Sequence, residues 1–173
     1  MKEPEIMSIR QLRNVLTPAS NGLLFHFGTS FISQVIIKKT RESKDEIVPS
    51  HVAIVYNNFI YESTVSREDV GIKTIPAGVK RYLLKDFFKK EKNKDTTYYY
   101  APFNRLFVPI MEEHIFRPYG KDTIVDFLIK SESAGDSNGL ICSQYVNMCT
   151  DLIPNMKCPT PADMFRAIIN IGE

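Results

Sequence analysis

Short apolar runs, bounded by glycine, proline or asparagine, divide the chain into alternating predicted strands and helices. Residues 22–27 (GLLFHF) are typical of a buried strand, which Gly28 ends. After it, apolar residues recur at helical spacing over 31–36, and Thr29 or Ser30 supplies an N-cap. These first elements already predict a mixed α and β domain.

The clearest local signal is a β-hairpin over residues 51–64. Two β-rich runs, HVAIVY and FIYEST, are joined by Asn57-Asn58, and asparagine tolerates the positive φ angles that a two-residue hairpin turn requires. In this register His51 and Glu62 become diagonal neighbours on one face, with Cβ atoms roughly 7–8 Å apart. An imidazole and a carboxylate can bridge that distance, and the carboxylate then fixes the tautomer of the ring. A His51–Glu62 pair with a purely structural role would give the same sequence pattern.

The remaining patterns predict further short elements and no linker long enough to divide the chain. They are a helix at 9–16, a strand at 71–75, a short helix or turn at 82–88, an exposed charged loop at 89–94, a strand at 97–100, helices at 109–116 and 122–131, a flexible loop at 134–139, a helix from Cys142 to about Ile153, and a last helix that opens at Thr160-Pro161. The sequence therefore predicts a single α+β domain over residues 1–173.

Composition and charge narrow the class of protein. Of 173 residues, 43% are hydrophobic and 24% charged, as in an ordinary globular domain. A formal net charge of +2 does not favour a nucleic-acid partner or a membrane surface. No apolar run is long enough for an integral membrane segment, and no secretory leader is evident. We therefore expect a cytoplasmic protein, with delivery by another route left open.

Three cysteines, at positions 142, 149 and 158, form an odd number without a CxxC pair, which favours reduced thiols over a disulfide framework. Cys142 follows a glycine-containing loop and stands where an apolar helix begins. There the helix dipole and the unpaired amides lower the pKa of a thiol, and a protonated histidine lowers it further. The amide of Cys142 is also a candidate oxyanion donor. Packing is the alternative role for this thiol, and Cys149 and Cys158 are predicted to be structural or incidental.

Taken together, these segments resemble the permuted papain-like branch of the NlpC/P60 superfamily, which includes bacterial lipoprotein-like amidases and a poxvirus protein. The order carries the resemblance: a histidine strand first, a carboxylate on the next strand, and a cysteine late in the chain at a helix start. The matching stretches are 22–25, 50–55, 61–64, 71–72, 84–88, 118–120, 141–146 and 160–163, so the motif-bearing core covers about residues 22–165.

The resemblance implies a papain-like fold, circularly permuted, in which an antiparallel sheet packs against the cysteine helix. It implies a cysteine peptidase or amidase, a hydrolase without a cofactor or a catalytic metal. Cys142 would attack an amide or ester carbonyl, His51 would take and return the proton, and Glu62 would hold the third, polar position. Tyr119, in the Pro-Tyr segment, is a candidate for lining the substrate site or donating to the oxyanion, with packing as the alternative. Gln144 departs from the glutamate that bacterial relatives often carry after the cysteine.

Three other functions compete with amide hydrolysis. The same triad would serve a lipid ester acyltransferase or hydrolase, although the Asn-Cys-Glu-His sequence usual in that lineage is absent. A zinc site made by His51, Glu62 and Cys142 lacks the short ligand spacing that such sites usually have. A catalytically silent binding module would keep the fold without turnover. His26 and His114 have no strand-matched partner in the sequence pattern and are assigned no role.

Overall fold

A five-stranded antiparallel sheet organises the computed structural model, which describes residues 4–64, 68–70, 73–75, 77–120 and 139–171. Its strands are β1 (Gly22–Gly28), β2 (His51–Tyr56), β3 (Phe59–Thr64), β6 (Gly78–Leu83) and β7 (Thr96–Pro102), in the order β6-β3-β2-β1-β7. A separate two-stranded sheet pairs β4 (Glu68–Val70) with β5 (Lys73–Ile75).

Six helices occur among the described residues. They are α1 (Ile9–Val15), α2 (Phe31–Thr40), α3 (Leu84–Glu91), α4 (Val108–Glu113), α5 (Cys142–Thr150) and α6 (Pro161–Ile171). Sheet and helices together confirm the predicted α+β class, and the contacts of α5 with β2 and β3 confirm that the cysteine helix packs against an antiparallel sheet.

Both faces of the sheet are buried, which explains why β2 is apolar at consecutive positions. Val52 and Ile54 belong to one core cluster together with Tyr145 and other residues of α5. Ala53 and Val55 belong to a second cluster, which α1 and α3 complete on the opposite face. Alternate residues of one strand thus serve two cores, so the sheet separates α5 from α3.

The hairpin forms as predicted. Asn57 and Asn58 have φ angles of 46° and 69°, and Tyr56 pairs with Phe59 across the turn. This is the register that places His51 and Glu62 on one face of the sheet. Strand β1 pairs with the other side of β2 and sets His26 opposite His51.

The last helix also begins where the sequence predicts. Pro161 is its first residue, the hydroxyl of Thr160 accepts the N–H of Asp163 at 3.0 Å, and the carboxylate of Asp163 accepts the N–H of Thr160 at 2.8 Å. A reciprocal cap of this kind stabilises a helix end by about 1 kcal/mol.

The charged segment after β6 differs from the prediction. The predicted helix or turn at 82–88 begins only at Leu84, because residues 78–83 extend β6 as an edge strand paired with β3. Residues 89–91 continue α3 rather than forming an exposed loop. Glu91 is buried, accepts the Tyr98 hydroxyl at 2.9 Å and accepts Lys94 Nζ at 2.6 Å. The charged composition of residues 89–94 predicted a solvated loop, whereas contacts with other parts of the fold bury Glu91.

Smaller boundaries also differ. The predicted strand at 71–75 is described only at Lys73–Ile75, where it joins the small sheet and not the main one. The helix predicted at 109–116 spans Val108–Glu113. Helix α5 ends at Thr150, because Asp151 adopts a left-handed conformation with φ of 47°. The helix predicted at 122–131 and most of the loop at 134–139 lie outside the described residues.

Candidate active site

The candidate site lies at the end of the sheet where β2 begins. His51 is the first residue of β2, and Glu62 lies near the end of the adjacent strand β3. Nε2 of His51 is 2.7 Å from Oε2 of Glu62. The Glu62 side chain is only 5% exposed, whereas that of His51 is 22% exposed, so the carboxylate is enclosed and the imidazole still meets the solvent.

Two further side chains hold the carboxylate of Glu62. The hydroxyl of Tyr82 donates to Oε1 at 2.5 Å, and Nζ of Lys90 lies 3.4 Å from the same oxygen. Burial by itself raises the pKa of a carboxyl group, but the hydrogen bond with His51 and the nearby positive charges hold the pKa of Glu62 well below its usual range. Glu62 is therefore an enclosed anion directed at the imidazole.

Cys142 reaches His51 from the opposite face of the sheet, as the first residue of α5. The thiol and the ring of His51 line one cavity, and their interaction shifts the pKa of both groups. Because Nε2 already faces Glu62, Nδ1 is the ring nitrogen left for the sulfur. The imidazole thus links a carboxylate on one side of the sheet to a thiol on the other.

The local backbone also favours a thiolate at Cys142. Ile141 is the N-cap residue of α5, and its side chain makes no capping hydrogen bond. The first backbone N–H groups of the helix therefore receive no hydrogen bond from an N-cap side chain. Backbone groups of Val52 and Ser143 hydrogen-bond with the sulfur and lower its pKa. Gln144 turns back in the same helical turn and accepts the N–H of Ile141 at 3.2 Å.

The electrostatics of Cys142 and His51 favour a thiolate–imidazolium pair. Burial opposes both charges, since it raises the pKa of a thiol and lowers that of an imidazole. The mutual attraction and hydrogen bond outweigh burial, and together with Glu62 they raise the pKa of His51 to about 10. The same attraction and the backbone hydrogen bonds hold the pKa of Cys142 below its ordinary value. Both shifts favour a deprotonated nucleophile beside a protonated acid.

Tyr119 lies in a short extended segment in which Pro118 pairs with Gly78, at the start of β6, and Tyr119 pairs with Leu140, just before α5. Its backbone bridges to Leu140, whose N–H donates to the carbonyl of Pro118 at 3.0 Å. The carbonyl of Leu140 accepts the Ser63 hydroxyl at 2.5 Å, which ties this connection to β3. Gly139 is required here, because a Cβ on it would lie 2.6 Å from the backbone of Gly120. The start of α5 and the Tyr119 segment are thereby held side by side.

Two cavities meet at Cys142, and Tyr119 lines both. The larger, which we call the polar cleft, has a volume of about 530 Å³ and contains His51, Glu62 and Lys90 in its wall. The smaller, which we call the apolar slot, is lined mainly by Ile141, Pro159 and Pro161, together with Ile36, which also lines the polar cleft. Burial and the charge of the Cys142 thiolate raise the pKa of Tyr119, so its hydroxyl stays protonated beside the sulfur.

His26 lies in this site although the sequence pattern gave it no role. Its ring packs edge-on against His51, with 4.9 Å between ring centroids, and it lines the polar cleft. The side chain is buried, and its Nε2 has no hydrogen-bond partner among the described residues. Burial and the positive charge of His51 hold the pKa of His26 well below 6.5, so this second imidazole is neutral.

The structure places the other predicted residues as follows. Cys142, His51, Glu62 and Tyr119 all contribute to the polar cleft. Cys149 is buried in the core, and burial raises its pKa to about 12. Burial likewise raises the pKa of Cys158 to about 11. His114 binds the carbonyl of Ile110 within its own segment and lines neither cavity.

Sequence patterns did not single out His26, Tyr82 or Lys90. His26 is brought to His51 by pairing between β1 and β2, whose residues are separated by a helix and a loop, and no local pattern reports such pairing. Tyr82 reaches Glu62 because β6 pairs with β3. A usable signal was the position of His26, a polar residue within the apolar run 22–27 that Gly28 follows.

Two general features bear on the chemistry. Among the described residues, no group of three or more His, Cys, Asp and Glu side chains is arranged to hold a metal ion. In the same part of the chain, every helix is too short or too polar to cross a membrane.

Comparison with known proteins supplies no assignment. The sequence matches no protein-family model and no curated protein. The chemistry of the site therefore rests on the geometry of the described residues.

Proposed function

We propose that this protein is a cysteine-dependent hydrolase that cleaves an amide bond, peptide or isopeptide-like, through an acyl-enzyme. The observation that carries the proposal is the arrangement of three groups: Cys142 begins a helix and lines the same cleft as His51, and Nε2 of His51 lies 2.7 Å from the buried carboxylate of Glu62. A nucleophile, a base and an orienting carboxylate in this order are the general form of a catalytic triad.

In the proposed acylation step, the thiolate of Cys142 attacks the carbonyl carbon and a C–S bond forms. The carbonyl electron pair moves to oxygen; in this proposal the amide of Cys142 donates to the resulting oxyanion, with the protonated hydroxyl of Tyr119 as a second candidate donor. The C–N bond then breaks as the imidazolium of His51 gives its Nδ1 proton to the departing amine. Glu62 keeps the ring oriented throughout this transfer.

In the proposed deacylation step, water replaces the amine on the side of His51. The imidazole, now neutral, takes a proton from the water as its oxygen attacks the thioester carbon. The C–S bond breaks, the acid leaves, and the thiolate–imidazolium pair is restored. No cofactor or metal ion enters these steps.

The same features support membership of the permuted papain-like branch of the NlpC/P60 superfamily as part of the proposal. The sheet is antiparallel, the histidine strand precedes the cysteine helix in the chain, and the carboxylate comes from the strand beside the histidine. The Tyr119 segment and the capped start of α6 at Thr160 border the two cavities. Of the stretches that carry the sequence resemblance and are described in full, 84–88 lies in α3, which packs on β3 and β6, and the others lie in or beside the site or in the sheet.

Trapping of the covalent intermediate tests the proposed function. Purified protein is mixed with a panel of peptide amides and lipid esters carrying slowly hydrolysed acyl groups, and intact mass is recorded within seconds. We expect a mass increase on the peptide that contains Cys142, together with release of the amine. The adduct is expected to vanish in Cys142→Ser and to be retained in Cys158→Ser, the control.

Two results would contradict the proposed function. Hydrolysis that persists undiminished in Cys142→Ser would assign the activity to another group. Absence of both adduct and turnover across the panel, in protein that stays folded, would favour a module that uses this fold for binding. Preferential turnover of the lipid esters would instead support the acyl-ester alternative on the same three residues.

A further inference from the structure

The two cavities that meet at Cys142 differ in polarity. This difference indicates which half of a substrate, the acyl group or the amine, each cavity would hold. We propose that the apolar slot holds the acyl side, that it takes a short uncharged acyl group, and that the polar cleft takes the departing amine. The substrate class is then an amide that joins a small apolar acyl group to a polar amine. This inference rests on the proposed function and specifies it.

The position of His51 sets the direction of the substrate. The group that gives a proton to the leaving amine must face that amine, and His51 lines the polar cleft but not the slot. Cys142 lies at the junction of the two cavities. An acyl group attached to its sulfur therefore extends away from His51, into the slot.

The chemistry of the slot fits an uncharged group. Ile36, Ile141, Pro159 and Pro161 present hydrocarbon to it. Thr160, which also lines the slot, is engaged in the cap of α6, where its hydroxyl donates to the Asp163 carboxylate at 2.7 Å. Among the described residues of the slot wall, none would supply an ionic partner to a charged acyl group, which would therefore lose its hydration without compensation.

The size of the slot selects short acyl groups. Its volume is about 20 Å³, against about 530 Å³ for the polar cleft. A volume of this order holds roughly one group of the size of a water molecule or a methyl. Ile36, on α2, is half-buried and lines both the slot and the polar cleft, so its side chain forms part of the wall where the two cavities adjoin.

The chemistry of the polar cleft fits a strongly hydrogen-bonding amine. Nε2 of His26 is buried in its wall without a partner among the described residues. Lys94 and Asp95 add charges of both signs. Hydroxyl groups surround them, from Thr29, Ser30, Ser33, Ser50 and Thr96. Such a surface complements a polar amine, for example that of an amino acid or a peptide, better than a hydrocarbon.

Alkyl chloromethyl ketones test the acyl side without requiring turnover. The thiolate displaces chloride from the reagent, a C–S bond forms as the C–Cl bond breaks, and the alkyl group of the ketone occupies the acyl side. Reagents with ethyl, pentyl and carboxyethyl groups are compared by the rate of modification of Cys142, measured by mass spectrometry. Each rate is divided by the rate with iodoacetamide on the same variant.

We expect the wild-type protein to react roughly tenfold faster with the ethyl reagent than with the pentyl or carboxyethyl reagent. Ile36→Ala, which enlarges the slot, is expected to raise the relative rate of the pentyl reagent about tenfold. Ile37→Ala is the matched control, because Ile37 is a half-buried neighbour on α2 that lines neither cavity. Ile36→Val replaces Ile36→Ala if the latter does not fold, with a smaller shift in the same direction.

Equal rates for all three reagents on the wild-type protein would overturn this inference, as would an equal shift in Ile36→Ala and Ile37→Ala. Failure of the proposed function has a different signature. In that event iodoacetamide itself would not modify Cys142 in preference to the other thiols. Selective iodoacetamide labelling with no dependence on the alkyl group would leave the proposed function standing and remove only the acyl-side assignment.

Discussion

Nε2 of His51 lies 2.7 Å from Oε2 of Glu62, on the strand beside it. This contact occupies one ring nitrogen and leaves the other for Cys142, which approaches from the opposite face of the sheet. The hairpin register determines the arrangement, because a shift by one residue would move Glu62 to the other face. The orientation of the base is thus a consequence of strand pairing.

Glu62→Gln tests the electrostatic part of this contact. The amide has nearly the same shape but no charge, so it no longer stabilises the imidazolium and the pKa of His51 falls. With less imidazolium opposite, the thiolate fraction of Cys142 falls as well, and we expect alkylation of Cys142 at pH 7 to slow about tenfold. Stopped-flow or quench measurements with iodoacetamide provide the rates. Glu112→Gln is the control, because Glu112 also accepts a tyrosine hydroxyl, at 2.6 Å, but lines neither cavity. An equal slowing in both variants would contradict the assigned role of Glu62.

His51 and His26 are expected to titrate differently in an NMR experiment on their ring protons. The pKa of His51 is raised to about 10, so its imidazolium persists through neutral pH, whereas His26 stays neutral until well below 6.5. Because the folded-state pKa of His51 exceeds its ordinary value of 6.5, its contribution to stability is complete below that value and is lost as the pH rises through about 10. In Cys142→Ser the thiolate is absent, and we expect His51 to titrate at a clearly lower pH. A titration of His51 that is unchanged by Cys142→Ser would refute the ion pair.

Glu91 should stabilise the fold rather than take part in catalysis. The Glu91→Ala change removes the acceptor of the Tyr98 hydroxyl, which is buried, and an unsatisfied buried hydroxyl costs about 1–3 kcal/mol. We expect a loss of that order in the free energy of unfolding, measured with denaturant. Adding Tyr98→Phe to Glu91→Ala should recover part of it, since both partners are then apolar. Lys92→Ala, at an exposed position, should change stability by about 0.5 kcal/mol or less. A double variant that is destabilised by the sum of the two single changes would contradict the account.

The turn between β2 and β3 should respond to backbone preference. Asn58 has φ of 69°, a conformation that costs alanine roughly 1–2 kcal/mol and glycine nothing. Asn58→Ala is therefore expected to lower the free energy of unfolding by about 1 kcal/mol. Asn58→Gly is the matched variant and should leave it nearly unchanged. Equal destabilisation by both would show that the side chain of Asn58, and not its φ angle, matters.

Local features of the fold could be predicted from the sequence because local chemistry determines them. The Asn57-Asn58 turn fixes the hairpin and with it the His51–Glu62 contact. Thr160 is the N-cap of α6 and Pro161 is its first residue, a pair that marks the start of a helix in the sequence itself. The start of α5 at Cys142 was predictable from the apolar helical pattern that follows this residue in the chain.

Features that depend on long-range pairing could not be predicted in this way. The β6 strand was missed because Tyr82 and Leu83 precede a helix and their pairing partner lies in β3. Lys90 and Glu91 belong to a charged run typical of a solvated loop, and only the packing of α3 against the sheet brings them to Glu62 and Tyr98. His26 lies opposite His51 because β1 pairs with β2. No local pattern in the sequence between the two strands predicts the register of that pairing.

Selective alkylation of Cys142 is the most direct test of a cysteine activated by His51. Native protein is treated with iodoacetamide at pH 7, and the modification of each cysteine is followed by mass spectrometry in wild type and in His51→Ala. The pKa values of Cys149 and Cys158 are raised to about 12 and about 11, whereas that of Cys142 is lowered, so we predict modification of Cys142 alone, slowed about tenfold or more in His51→Ala. Equal modification of the three cysteines, or a rate at Cys142 that does not change in His51→Ala, would contradict the account.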